Sequence, residues 1–246
     1  IVDYVNASAK IVLSSSGSTY TVTKATSVTD TITNVEEIDG SIYADTMIGG
    51  SANDTFKGDT GNDVINGGAG ADSLYGETGD DTLVGGSGND YLDGGTGTET
   101  NGDTVDYTTE GHAIKVTLVS GGGTVTVDAS NNGYSSGTEQ DVLANIENIT
   151  GSSLADTIVG DSGVNTLLGG AGDDSLQGGL GNDYIDGGIG NDIIYGGAGE
   201  DRLFGGADND TFKIESSASE LTNDIIDGGT GTDTLDYSNI SSGVTL

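Results

Sequence analysis

Aspartates stand nine residues apart through most of this chain, each two places before an apolar residue and each closing a glycine-rich turn. Gly67-Gly68-Ala69-Gly70-Ala71-Asp72-Ser73-Leu74-Tyr75 is one such unit, and Gly85-Gly86-Ser87-Gly88-Asn89-Asp90-Tyr91-Leu92-Asp93 is another. Carboxylates at a fixed interval, set among carbonyls that glycine lets turn inward, form a hard-oxygen donor set. Six or so mixed oxygens suit Ca²⁺, whereas Mg²⁺ keeps its waters and rarely accepts an all-protein cage. Zinc prefers His and Cys, and the chain offers only His112 and no Cys.

Numbering each nonapeptide from its first glycine places the candidate carboxylates at position six. In a first array these are Asp45, Asp54, Asp63, Asp72, Asp81 and Asp90. Asp103 follows after four extra residues, Glu99-Thr100-Asn101-Gly102. In a second array they are Asp156, Asp174, Asp183, Asp192, Asp201 and Asp210, with Asn165 in place of one carboxylate. An irregular stretch, 214–222, then precedes Asp224 and Asp233. Candidate carbonyl donors at position one are Gly49, Gly58, Gly67, Gly85, Gly169, Gly178, Gly187 and Gly196. Those at position two are Gly68, Gly86, Gly170, Gly179, Gly188 and Gly197; Ala69 stands at position three. Those at position four are Gly70, Gly88, Gly172, Gly181, Gly190 and Gly199. Ala52 and Asp208 replace the fourth glycine, where Asp accepts a left-handed backbone better than Ala. The loops at Gly40 and Gly151 carry Tyr43 and Leu154 there and read as array starts rather than full sites.

Nine residues hold one turn and one very short strand, and internal repetition decides the architecture. Positions seven to nine predict a three-residue strand. Position eight faces one way while seven and nine face the other. Two nonapeptides then close a coil of 18 residues, with the eighth-position side chains between two parallel sheets that rise roughly 4.8 Å per coil. That interior is thin. One apolar side chain per nine residues does not offset the entropy of ordering the chain, so ligation must contribute. The segments 1–39 and 104–148 show patches alternating apolar and polar residues, as in Thr21-Val22-Thr23 and Thr124-Val125-Thr126-Val127, and read as strands. Asp141–Ile149 is the one marginal helix candidate.

A longer duplication encloses the arrays. Asn34-Val35-Glu36-Glu37-Ile38-Asp39-Gly40-Ser41 returns as Asn145-Ile146-Glu147-Asn148-Ile149-Thr150-Gly151-Ser152. Asp3-Tyr4 returns as Asp106-Tyr107 and Asp236-Tyr237, each followed by an apolar run. The organisation expected is a β-rich flank (1–39), a first block (40–103), a β-rich linker (104–150), a second block (151–235) and the start of a third repeat (236–246). The tyrosines are expected to pack at array boundaries.

Composition narrows the function. The chain has 246 residues, 45 of them Gly, and a net charge of −34. Low hydrophobicity with such charge ordinarily marks a disordered chain, so something outside the sequence must hold this one together. Six Lys plus Arg cannot neutralise a phosphate track, which argues against nucleic acid. No stretch approaches the ~20 apolar residues of a membrane span. No Cys excludes a disulfide framework. The sequence as read opens on neither an initiator Met nor a signal-peptide pattern, and is expected to be part of something longer. One His and no Cys assemble no persuasive nucleophile–base set, and no His-Glu-x-x-His or Gly-x-Ser-x-Gly motif is present. We therefore expect no enzyme here, with His112 a surface residue.

The unit Gly-Gly-x-Gly-x-Asp-x-apolar-x resembles that of the repeats-in-toxin (RTX, haemolysin-type) calcium-binding family, over a little more than half the chain. The resemblance implies an all-β fold, a right-handed parallel β-roll or β-solenoid, with two nonapeptide blocks joined by β-rich non-repeat segments. It implies that carbonyls one and three with Asp six of one loop, and carbonyls two and four with Asp six a coil later, hold each ion. Here that joins Gly67, Ala69 and Asp72 to Gly86, Gly88 and Asp90, for about nine to twelve Ca²⁺ in all by counting loop pairs. It also implies secretion to the extracellular space or bacterial cell surface, with folding on Ca²⁺ binding after export. The role expected is an extender, adhesin or surface-layer module stacked on neighbouring repeats. The alternatives are an accessory domain of a secreted protease, lipase or epimerase, and a module that grips glycan or a cell surface.

Overall fold

The computed structural model describes residues 1–16, 19–24, 29–33, 35–97, 99–119, 123–124, 140–214 and 223–240. Among them there are strands and turns and no helix. The expected strand at Thr124–Val127 is described only at residue 124, and the third apolar run, Gly243–Leu246, lies outside the described residues. The described residues fall into two compact units, one within Ile1–Asp106, Gly121–Val125 and Glu139–Ile146, the other within Tyr107–Ser120 and Glu147–Leu246.

The first unit stacks its array in two ladders. Val2–Asp3, Glu37–Asp39, Thr55–Thr60, Ser73–Thr78, Tyr91–Gly95 and Val142–Ala144 are neighbours in one sheet. Thr46–Ile48, Val64–Ala69, Thr82–Ser87 and Thr104–Asp106 are neighbours in the other. Successive coils pair in parallel at a register of 18, as Phe56 with Leu74 and Ile65 with Leu83. Ile11–Ser16 adds to Thr46–Ile48 in parallel, then turns back through Thr19–Lys24 and Thr29–Thr33 as antiparallel hairpins. The flank is therefore β-structured, as its alternation predicts.

The second unit repeats the plan. One ladder runs Asn148–Thr150, Thr166–Ala171, Tyr184–Ile189, Arg202–Ala207, Ile225–Thr230; the other runs Lys115–Thr117, Thr157–Val159, Ser175–Leu180, Ile193–Ala198, Thr211–Lys213, Thr234–Asp236. All pairs within these two ladders are parallel.

Two expectations are corrected. Most array strands span six residues, not three, and run on through positions one to three of the next unit. Glycine at those positions lets the backbones of neighbouring coils close into a ladder, as Gly68 with Gly86 and Gly170 with Gly188. Asp141–Ile149 is not a helix but parts of two strands, Val142–Ala144 and Asn148–Thr150. Parallel pairing with Tyr91–Asp93 outweighs its weak helical spacing.

Position eight is the core. Met47, Phe56, Ile65, Leu74, Leu83 and Leu92 in one unit, and Ile158 to Phe212 in the other, are fully or almost fully buried. Leu235 departs from this rule at 40% exposure, because Thr234–Asp236 is the outermost strand of its sheet. Tyr4 and Tyr107 are buried, and each Asp-Tyr segment makes the same tight turn, with the amides of Ala7, Glu110 and Ile240 donating to the tyrosine carbonyls.

Candidate metal centre

The sixth-position carboxylates form ladders of their own. The backbone N–H of Asp54 donates to Asp72 Oδ1 at 2.7 Å, and that of Asp72 to Asp90 Oδ1 at 2.8 Å. Asp45 to Asp63 and Asp63 to Asp81 repeat the link at 2.7 Å. In the second unit Asp156 binds Asp174, Asp174 binds Asp192 and Asp192 binds Asp210. Asp183 binds Asp201 in the same way. One oxygen of each aspartate thus fastens the turn one coil back.

The other oxygen is what sets the site apart. Oδ2 of Asp63, Asp72, Asp81, Asp174, Asp183, Asp192, Asp201 and Asp210 is buried with no hydrogen-bond donor. Each points at the Cα of its own first glycine. A Cβ on Gly58, Gly76, Gly169, Gly178, Gly187 or Gly205 would strike that Oδ2 and also the first-position carbonyl oxygen one coil later, 2.5–2.7 Å away. The first glycine therefore leaves open a cradle lined by carboxylate and carbonyl oxygens. A buried acceptor without a donor costs free energy, and a row of them answers to a cation. The donor set fits Ca²⁺: hard oxygens, mixed carboxylate and carbonyl, with neither thiolate nor imidazole.

Burial raises these acids. Asp63, Asp174 and Asp183 are pushed up to about 7, and Asp81 and Asp192 to about 6, by desolvation first and neighbouring carboxylates second. Asp72, Asp201 and Asp210 shift the same way. A carboxyl whose folded value exceeds its unfolded one binds extra protons on folding. Stability of the metal-free coil then grows as pH falls from about 7 toward 4 and is lost as pH climbs past 7. Calcium-free protein should give a stronger strand signal by circular dichroism at pH 5 than at pH 8. Equal signals would count against buried, unligated carboxylates.

Three candidates, Asp45, Asp156 and Asp54, behave otherwise and have protein donors on both oxygens, the Gly50 amide serving Asp54 Oδ2 at 3.2 Å. Asp45 Oδ1 accepts from the Ile11 amide at 2.6 Å and the Ser41 hydroxyl at 2.9 Å, and Oδ2 accepts from the Ser41 amide. Asp156 does the same with Ile114 and Ser152. Serine at position two and a flanking strand supply the donors at these array starts. Asp54 Oδ1 accepts from the Tyr20 hydroxyl, which belongs to the flanking hairpin and packs edge-on against Phe56. Asn165 spends its amide on the Glu147 carbonyl and the Asp161 N–H, so it is satisfied by protein alone. Asp233 is exposed and Asp224 half-buried, because they belong to the outermost coil; each still accepts from the amide of the preceding coil. Asp103 holds the Asp81 amide across the four-residue insertion.

Asp141 was not among the expected positions. It is buried and accepts from the Asp90 amide at 3.0 Å, completing the coil 51 residues later. Its signal was legible: Asp141-Val142-Leu143 is the closing Asp-x-apolar of the unit without its glycines.

Backbone angles separate the substitutions. Asp208 takes φ +82°, whereas Ala52 is not among the residues with positive φ. Asp59 and Glu77 occupy second positions at φ +78° and +75°. His112, expected at the surface, is half-buried, with Nδ1 3.7 Å from Glu110 Oε2, because the turn after Tyr107 folds it against that side chain.

With that geometry in hand, comparison with family patterns matches the chain to the RTX calcium-binding nonapeptide repeat over residues 39–74, 66–98, 150–185, 177–212 and 222–238, more than half its length. No curated protein matches it.

Proposed function

Because the chain belongs to the RTX calcium-binding nonapeptide-repeat family, we propose that it is a non-catalytic, calcium-dependent structural module of a secreted bacterial protein. Its role in this reading is to be an extender that is loose where calcium is scarce and rigid where it is plentiful. The observation that carries the reading is the row of buried Oδ2 atoms, six of which share a first glycine's open side with a carbonyl oxygen of the next coil. Bound Ca²⁺ would supply the positive charge these oxygens face, at about nine to twelve sites by loop counting.

The chain's own residues do the rest. Within the arrays, Oδ1 of aspartates such as Asp72 and Asp192 holds the amide one coil back, so the Oδ2 atom arrives with a fixed direction. Neutralising one carboxylate therefore affects both its own turn and the turn behind it. The tandem duplication, with the Asp-Tyr turn present three times, favours a spacer over the single terminal block of an enzyme accessory domain.

Calorimetric Ca²⁺ titration tests the assignment residue by residue. Asp183→Asn should remove or weaken by about tenfold two sites. Asp45→Asn should leave the site count unchanged, because protein donors occupy both oxygens. Asp93→Ala, at an outward ninth position, should also leave it unchanged. Equal losses from all three substitutions would refute the register.

A further inference from the structure

Away from the turns, the first unit carries an open groove of about 340 Å³ lined by Tyr75, Glu77, Thr78, Asp93, Thr96 and Asn145. Three coils build it. Tyr75 lies in register with Asp93, and Glu77 with Gly95, while Asn145 follows the strand Val142–Ala144 on the far side. The groove is held in shape. Asn145 Nδ2 donates to Asp93 Oδ1 at 2.7 Å, and the Tyr91 hydroxyl donates to Asp93 Oδ2 at 3.1 Å. Tyr91 packs on Tyr75, ring centres 5.6 Å apart. Asn145, at φ +50°, and Glu77 both hold left-handed backbones. Glu77 does so where most units place glycine, and that conformation costs a residue with a Cβ free energy. The side chains of Tyr75, Glu77, Asp93 and Asn145 take no part in the proposed calcium cradles, although Glu77, Thr78 and Thr96 stand at second and third positions whose backbone carbonyls the repeat pattern assigns to calcium.

Elsewhere three rings lie near the chain's own cations. Lys24 sits 5.4 Å from the centre of Tyr4 and 2.8 Å from Asp30, to which the Tyr4 hydroxyl also donates. Lys213 lies 5.7 Å from the centre of Tyr195, and Arg202 lies 6.0 Å from that of Phe204. Tyr75 has no such cover among the described residues. Lys57 stands beside it in register but is turned to Glu37 at 2.5 Å and Asp39 at 3.8 Å. Neither Glu77 nor Asp93 forms an ion pair within 4.0 Å among the described residues, and the charge of Lys57 reaches Glu77 only from beyond contact.

We propose that this groove receives the guanidinium of an arginine side chain presented by a partner polypeptide. A flat cation stacks on a tyrosine face, and its five fixed donors match carboxylate and amide oxygens spread around a rim. The spread also argues against a bare metal ion. Among the described residues, no three acids of this groove have ligand atoms within 4.8 Å of one another. Anionic ligands are disfavoured by Glu77 and Asp93. An ammonium would satisfy the charge but not the breadth of the acceptor set.

The test uses the whole chain saturated with Ca²⁺ and N-acetyl-arginine methylamide as probe, followed by NMR shifts. Saturable shifts should centre on Tyr75, Asn145 and Thr96. The citrulline analogue, equal in shape but neutral, should produce none. Tyr75→Ala and Asp93→Asn should each weaken binding about fivefold or more, whereas Tyr195→Ala should not. Circular dichroism with Ca²⁺ confirms that each variant is folded, and the citrulline comparison on the unaltered chain stands even if one is not. Shifts spread evenly over the acidic surface, or equal shifts from the neutral analogue, would overturn the proposal. Since every arm is run with calcium present and strand content recorded, failure here leaves the calcium reading separately judged.

Discussion

Stripping calcium with a chelator is expected to abolish most of the β-sheet signal and expand the chain, and restoring calcium should reverse both. The reason lies in the charge. At −34 overall with six Lys plus Arg, the chain cannot neutralise itself. Folding also takes Asp63, Asp72, Asp174, Asp183, Asp192 and their relatives almost wholly out of water. Asp63, Asp72, Asp81, Asp174, Asp183, Asp192, Asp201 and Asp210 each have one oxygen without a donor, so the metal-free stack must protonate or open. Calcium at ten times Kd adds RT ln 11, about 1.4 kcal/mol, per site. Over about nine to twelve independent sites that is roughly 13–17 kcal/mol, as much as or more than a typical domain's entire stability. Circular dichroism and hydrodynamic radius, measured through a Ca²⁺ titration at pH 8 and then with EDTA, make the test. Strand content and size indifferent to chelation would end the account.

The second large effect is expected from one methyl group. Gly190 holds φ +137°, and a Cβ there would overlap the carbonyl oxygen of Gly172 one coil back. Gly190→Ala therefore combines an unfavourable backbone angle with a backbone clash that no side-chain movement relieves. A loss of about 3 kcal/mol or more is expected, beyond that of most single substitutions. Because consecutive coils share their ladders, it should also lower calcium affinity in the adjacent turns. Gly111→Ala, where an added Cβ meets nothing within 4 Å, should be close to neutral. Thermal unfolding at fixed free Ca²⁺ compares the two, and similar melting temperatures would show that the fourth position tolerates a side chain.

Much of this was legible in the residues. The nine-residue interval fixed which side chains face inward, because strand alternation has a period of two and the turn resets it identically each time. Met47, Phe56, Ile65 and Leu74 accordingly sit in the core. The same interval set the coil at 18 residues and brought Asp54 beneath Asp72, and Asp174 beneath Asp192. Local glycine chemistry sufficed for this, since each repeat is a copy of its neighbour.

Where the repetition stops, only the tertiary structure decided the outcome. The loops of Asp45 and Asp156 read in the sequence as array starts, but nothing local names the donors that take their Oδ1 atoms, the amides of Ile11 and Ile114, 34 and 42 residues away. Asp141 completes a coil from 51 residues downstream without any glycine turn of its own. Glu77, Asp93 and Asn145 meet across three coils in a groove that no local pattern announces. Periodicity fixes only interactions that recur at the repeat's own spacing. A donor supplied by a flanking strand, or an excursion between coils, depends on how the ends of the stack are closed, and that is settled by three-dimensional pairing alone.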